Sequence, residues 1–375
     1  MPPSFPRRAW TISRELARFA VSRGFWPGLL LRPKADASEP VLFYGQGRLP
    51  GLDNVVGGGM VKLVHMQRAF PHNALHCNLV YLVSSALPLD LPLLLAWKRH
   101  KGIPLVVNQN GVGYPAWCGP NCARVNRPLR AALRDAAYVF YQSQFCKAGA
   151  DRFLGSRQGS WEVLHNPVDT HFFTPPETPR PPSPLTLLLG GSQYQRYRLE
   201  TALRATAAIA RSRDDVRLLV TGRICWDRDE AAATAAAHKL RSDLGLEDKV
   251  DFIGPYSQRQ APEILRRAHV LLHTQCNDAC PGLVLEAMAC GLAIVYDESG
   301  GVPELVGEEA GIGVPTRSSY ERIVPPDPEQ LAEAVLRVVQ DLPRHGAAAH
   351  RRAVEQFDIV AWLDRHRQVF MELLG

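Results

Sequence analysis

From about residue 40 onward, short runs of β-branched and aliphatic residues alternate with longer stretches whose apolar positions recur every three or four residues. Strand-length apolar runs followed by helical periodicity predict repeated β-α-β units, and so parallel sheets covered by helices. The first series of candidate strands is 41–44, 78–83, 103–107, 138–141 and 162–164; the second is 185–189, 216–221, 250–253, 270–273 and 293–296. Helical periodicity fills the gaps, as over residues 199–212 and 229–244. Between the two series, residues 173–184 hold six prolines in twelve positions, which neither sheet can continue, so this stretch reads as an interdomain linker.

The pattern divides the chain into an extension (1–36), a first α/β domain (37–175), a linker (176–184), a second α/β domain (185–356) and a C-terminal helix (357–375). Helices are predicted over 328–342, carrying Leu331, Val335, Val338 and Val339 at helical spacing, and over 344–374. Phe357, Trp362 and Phe370 are too apolar for a solvated tail, so the last helix should dock on a domain. In the extension, Ile12, Leu16 and Phe19 line one face of a candidate helix, with Arg14 and Arg18 on another. Two readings stand for it: a membrane-surface basic helix, or a helix covering the first domain.

Composition narrows the class. A chain of 375 residues, 46% hydrophobic, can bury two ordinary cores. Of its net charge of +6, five charges fall in the first 36 residues, where seven Lys or Arg face Glu15 and Asp36. The rest is almost neutral, which excludes a nucleic-acid binder with a basic stripe through its folded domains. No run reaches the roughly 20 apolar residues of a membrane span. Arg14, Glu15 and Arg18 interrupt any signal-peptide core, so a cytoplasmic address with reduced cysteines is expected. Cys118/Cys122 and Cys276/Cys280 have a spacing that suits a helix face better than a zinc knuckle, and no metal site is expected.

The candidate chemistry centres on Asp278-Ala-Cys-Pro-Gly-Leu-Val-Leu-Glu286-Ala-Met-Ala-Cys-Gly, followed by Ser299-Gly-Gly-Val-Pro-Glu304. Strand 270–273 should end in a polar loop, Pro281 should open a helix and Gly291 should close it. Ligands of open α/β sheets bind beyond the carboxyl ends of the strands, which is where this loop falls. The new helix offers unpaired N–H groups at Gly282 and its neighbours to a phosphate. Asp278 in the loop and Glu286 one turn into the helix can both address one ligand's hydroxyls. Two carboxylates beside an anion site suit a sugar nucleotide, whose hydroxyls flank a diphosphate.

This run resembles the retaining GT-B glycosyltransferases of family 4, whose hallmark is two acids separated by seven residues, then Ala-Met-Ala-x-Gly and a Gly-Gly-x-Pro-Glu loop. Asp278 stands where Glu is usual. The resemblance spans about residues 40–375 and implies two Rossmann-like domains facing a cleft, with the C-terminal helix crossing back to the first. It implies that Glu286 binds the ribose hydroxyls, Asp278 the donor sugar, and the backbone of Pro281, Gly282 and Leu283 the distal phosphate.

Further matches follow. Leu187-Leu-Leu-Gly-Gly191-Ser-Gln-Tyr-Gln-Arg196-Tyr-Arg198 resembles the family's glycine turn and basic pair, implying Arg196 as main phosphate ligand with Arg198 as partner. Gly57-Gly58-Gly59-Met-Val-Lys resembles its first-domain glycine loop, where the backbone approaches donor phosphate and acceptor. Backbone near Gly222 and Ile253 would contact the base. The strand-Ser143-helix and Asn166-Pro-Val-Asp169 segments resemble two landmarks serving the fold and the domain junction. Asn110 occupies the place where many relatives have His; it can hydrogen-bond a sugar but not titrate.

The implied reaction moves a sugar from a nucleotide-sugar co-substrate to a glycan or lipid-linked acceptor with retention and without a metal or other cofactor. Fixed positive charge should stabilise the departing diphosphate. A cell-surface polysaccharide pathway at the inner membrane face, with peripheral contact through 1–36, fits the basic arm. A GT-B sugar-nucleotide epimerase and a silent sugar-nucleotide-binding module are the alternatives. The expectation requires Arg196 at the pocket and Asp278 and Glu286 facing one cavity.

Overall fold

In a computed structural model, which describes residues 38–46, 49, 51 and 58–375, the two predicted series of strands form two separate parallel sheets. The basic extension 1–36 and Gly57 lie outside the described residues.

The first sheet has the order β1 (Leu42–Phe43), β2 (Leu79–Val83), β3 (Leu105–Gln109), β4 (Tyr138–Tyr141), β5 (Ser160–Val163). Side chains alternate across a strand, and the burial follows. Val80, Leu82, Leu105, Val107 and Val139 face α2 (Leu91–His100), α4 (Cys122–Asp135) and α5 (Gln144–Leu154). Leu79, Tyr81, Val106 and Phe140 face the opposite way, onto α1 (Gly58–Ala69). A short helix, α3 (Pro115–Cys118), leads into α4.

The second sheet contains β6 (Leu185–Leu189), β7 (Val216–Thr221), β8 (Val250–Gly254), β9 (Val270–His273), β10 (Ala293–Asp297) and β11 (Gly311–Val314), in the order β11-β10-β9-β6-β7-β8. The order reverses between β6 and β9, which places a ligand crevice where those two strands end. One face carries α6 (Arg196–Ala210), α7 (Glu230–Asp243) and α11 (Pro328–Val339); the other carries α8 (Ala261–Arg266), α9 (Gly282–Ala289) and α12 (Leu342–Phe357). A short helix, α10 (Val302–Val306), follows β10. The proline-rich linker is pinned to the second domain, since Arg180 donates to the carbonyls of Cys290 and Gly291 at 2.6 and 3.2 Å.

Two expectations need correction. The helix expected over 344–374 is broken at Asp358, which caps α13 (Ile359–Leu374) by accepting from the Val360 amide at 2.8 Å. Phe357 therefore belongs to the second domain's core, whereas Trp362 and Phe370 pack on the first. The crossing is fixed by backbone bonds from Val168 N to Phe357 O and Ile359 N to Val168 O, at 2.8 and 3.0 Å. The cysteine pairs also fail to share a helix face. Cys276 and Cys280 lie in the loop after β9, and Cys118 and Cys122 face each other across a helix break with their sulfurs 2.8 Å apart.

Candidate active site

The loop leaving β9 is shaped by glycine at the neighbouring turn. Gly300 has φ +70°, and a Cβ there would lie 2.3 Å from the Asp278 carbonyl oxygen. Gly301 N donates to that carbonyl at 2.7 Å, so the Ser299-Gly-Gly turn seats the Asp278 loop. Pro281, with φ −71°, stands at the N-cap of α9 without a side-chain cap. The first amides of α9 have no partner within the helix.

A cavity of about 420 Å³ opens between the domains at this helix start. Asp278, Glu286, Pro281, Gly282 and Leu283 line it from the second domain, and Gly59, Lys62 and Asn110 from the first. The two carboxylates thus face one cavity. A neighbouring cavity of about 600 Å³ shares Asp278 and Asn110 and adds Tyr194 and Trp117. Burial pushes the Glu286 carboxyl above the ordinary glutamate value, and a 2.7 Å hydrogen bond from Gln258 Nε2 opposes the rise. Asp278 Oδ2 lies 3.3 Å from Nε2 of buried His273.

The first domain fastens this loop from across the cleft. Ser143 Oγ donates to the Ala279 carbonyl at 2.7 Å and Asn166 Nδ2 to the Cys280 carbonyl at 2.6 Å. Ser143 and Asn166 therefore act at the domain junction. Asn110 is fully engaged: its amide nitrogen donates to Ser85 Oγ at 2.8 Å, and its Oδ1 accepts from Lys62 at 3.3 Å and from Gln142.

Other expected residues stand elsewhere. Arg196 does not line the cleft; its side chain is 60% exposed and lies 3.5 Å from Glu200, one turn along α6. Arg198 is buried and donates to the carbonyls of Ser192 and Gly190 at 2.6 and 3.1 Å, so it holds the glycine turn instead of presenting free charge. Neither arginine supplies the positive end of this pocket. Gly191 and Gly222 have φ +79° and +86°, and a Cβ on Gly222 would lie 2.3 Å from the Gly191 carbonyl oxygen, so both serve the close approach of two loops. Ile253 packs against the core under α9. Gly58 opens α1, and its neighbour Gly59 lines the cavity.

The cation that does reach the cavity is Lys62, one turn into α1 and 3% exposed. Its Nζ donates to Asn108 Oδ1 at 2.7 Å, and Gln142 Nε2 donates to the same oxygen at 2.9 Å. Burial lowers the Lys62 pKa to about 7. Asn166, which lines the cavity, has a buried Oδ1 without a partner among the described residues, which leaves polar capacity for a ligand. Lys62 closes the glycine motif read above, but only its burial between β3 and β4 residues distinguishes it from a surface lysine.

Asp227-Arg228-Asp229, the spacing of many metal-binding acid pairs, is spent locally: Asp229 caps α7 through the amides of Ala231 and Ala232. Among the described residues, no three His, Cys, Asp or Glu side chains converge as a metal site would require.

Comparison with known structures decides the architecture. Anabaena HepE, solved in complex with UDP, superposes with a TM-score of 0.64 at 18% identity, over 84% of this chain and 82% of that one. The fold is GT-B. Residues 183–341, most of the second GT-B domain, match the family described as glycosyl transferases group 1. The phosphatidylinositol N-acetylglucosaminyltransferase gpi3 subunit of Schizosaccharomyces pombe is 20% identical over 239 residues, 64% of this chain and 49% of that protein. An exopolysaccharide phosphotransferase of Streptomyces coelicolor is 29% identical over 255 residues, 66% of this chain and 24% of that protein. The chain spans about half or less of the length of these curated relatives. Among the described residues, no helix is long and apolar enough to cross a membrane.

Proposed function

We propose that this chain is a retaining glycosyltransferase of family 4 that moves a sugar from a nucleotide-sugar donor to a glycan or lipid-linked acceptor in cell-surface polysaccharide synthesis. The observation that carries the reading is the convergence of Asp278, Glu286 and the open N-terminus of α9 on one interdomain cavity at the strand-order reversal. The acids accept hydrogen bonds from sugar and ribose hydroxyls, and the α9 amides receive the distal phosphate. HepE was solved with UDP, and the relatives act in polysaccharide or glycolipid chemistry by their names.

Lys62, in its protonated form, takes the electrostatic part first assigned to Arg196 and stabilises charge developing on the diphosphate. It stands on the first domain, so its help requires the two domains to enclose the donor together. No side chain at Asn110 can take the acceptor's proton, which suits same-face attack with the departing phosphate as base. The protein acts at the inner face of the membrane, with the basic extension 1–36 adding peripheral contact.

The test is calorimetric titration of UDP-sugars and other nucleotide sugars into purified protein, followed by transfer assays with the donor that binds. Binding of at least one donor, abolished by Glu286→Ala, supports the reading. Absence of donor binding across nucleobases, or binding indifferent to Glu286, would overturn it. Product formed without acceptor would identify an epimerase.

A further inference from the structure

A second large cavity lies away from the active site. It is a groove of about 1,210 Å³ in the first domain, between α2, α4 and the turn after α5. An ordinary small-molecule site holds about 300–1,000 Å³, so the space suits an extended chain. Leu87, Leu91, Leu95 and Leu154 line it, and Leu89, also in its lining, is 69% exposed. Arginines surround this apolar lining.

The charge is one-sided. Arg99, Arg127, Arg130, Arg134 and Arg157 line the groove, and Asp135, at the end of α4, is the acid that meets them. Arg130 and Arg157 are spent on helix ends, donating to the carbonyls of Phe153 and Leu133 at 2.6 and 2.7 Å. Arg127 has no acidic neighbour among the described residues, and Arg134, 76% exposed, lies 3.8 Å from Asp135. Arg127 and Arg134 sit seven residues apart on α4, two turns along one face. An apolar trough whose arginines outnumber the one acid that meets them matches a ligand with a hydrocarbon chain and a phosphate. The basic extension 1–36 carries the same sign of charge and is a poor occupant.

The groove also leads somewhere. Leu87 and Pro128 line both this groove and the cavity of about 600 Å³ that contains Asp278 and Asn110. The two cavities therefore abut at Leu87 and Pro128, on the side of the proposed transfer site.

We infer that the groove is the site for the phosphate and proximal hydrocarbon chain of a lipid-phosphate acceptor, whose sugar-accepting end reaches the cleft at Asn110. The inference rests on the glycosyltransferase reading for the word acceptor, but the groove's chemistry stands independently of it. A membrane phospholipid offers the same phosphate and chain, so the test separates the two sources.

The probe is dodecyl phosphate, titrated below its micelle concentration into the full chain. Saturable binding is expected, with octyl phosphate weaker by about fourfold per methylene withdrawn from the groove. Inorganic phosphate alone should not bind there. Arg127→Glu with Arg134→Glu, which spares the helix-end contacts of Arg130 and Arg157, should weaken dodecyl phosphate at least tenfold while leaving nucleotide-sugar binding intact. Leu89→Ser and a circular-dichroism melt check the chain contact and the fold. No saturable dodecyl phosphate binding, or binding unaffected by the arginine pair in a folded variant, would overturn the inference. So would arginine-dependent binding to phosphatidylglycerol vesicles without binding of the monomer, which would make the groove a membrane contact. Lipid binding in a chain that binds no nucleotide sugar would keep the groove and remove the transfer reading instead.

Discussion

Glu304 Oε2 lies 3.1 Å from His165 Nε2, an acid of the second domain against a histidine of the first. The same carboxylate accepts from the amides of Gln144 and Phe145 at 2.8 and 3.0 Å, so it caps α5 from across the cleft. Burial alone would push its pKa up. His165 and the two amides outweigh burial and hold it below the usual glutamate value.

The loss of this cap should be measurable. Glu304→Gln is expected to cost about 1 kcal/mol at pH 7, at the low end for a charged hydrogen bond because the site is partly solvated. A depressed acid contributes stability above its unfolded pKa and loses it as pH falls through the folded value. Urea denaturation should therefore show wild type and variant converging below about pH 4, and a difference that persists at pH 2 would refute the assignment.

Lys62 makes the opposite prediction. Its pKa falls from 10.5 to about 7 on folding, so the folded chain binds that proton more weakly and the cost is greatest below about pH 7. Lys62→Met is expected to raise stability by about 1–4 kcal/mol at pH 6, with the gain fading as pH rises toward 10.5. Donor affinity should drop at least tenfold in the same variant. In wild type, kcat/KM should decline on the alkaline side from near the same pKa; a profile flat to pH 9 would remove Lys62 from the chemistry.

Glu286 must be ionised to accept hydrogen bonds with both oxygens. Because burial raises its pKa, donor affinity is expected to fall on acidification sooner than for an ordinary carboxylate. Glu286→Gln should weaken donor binding about tenfold to a hundredfold at pH 7 and flatten that acid limb. Titrations at pH 5 and 8 on both proteins decide it.

The two arginines of α6 should separate cleanly. Arg196→Ala removes an exposed pair and should change stability by less than about 0.5 kcal/mol. Arg198→Ala strips hydrogen bonds from the Gly190 and Ser192 carbonyls and should cost about 2–4 kcal/mol. Equal Tm shifts would contradict the placement.

This separation shows what a linear reading can and cannot reach. Residues two apart on a helix point to opposite sides, and here Arg196 is exposed while Arg198 is buried under the glycine turn. Asp278 and Glu286 were legible because Pro281 and Gly291 bracket the helix between them. Both sheets were legible through their apolar runs. β11 escaped because two of its four residues are glycines, one of them placed where a Cβ would lie 1.9 Å from the Ile294 carbonyl oxygen. Lys62 escaped because its burial depends on Asn108 and Gln142, which only the assembled sheet brings beside it.

The crossing at Asp358 has a consequence for synthesis on the ribosome. Phe370 packs 5.0 Å from Phe70, ring to ring, and buried His366 lies 3.1 Å from the Tyr81 hydroxyl, so the first sheet's core is completed only by α13. Of the two domains, the one nearer the N-terminus is completed after the other, inverting the usual N-to-C order. Stalled nascent chains ending before Ile359 should keep residues 58–154 open to protease while residues 185–339 are already resistant.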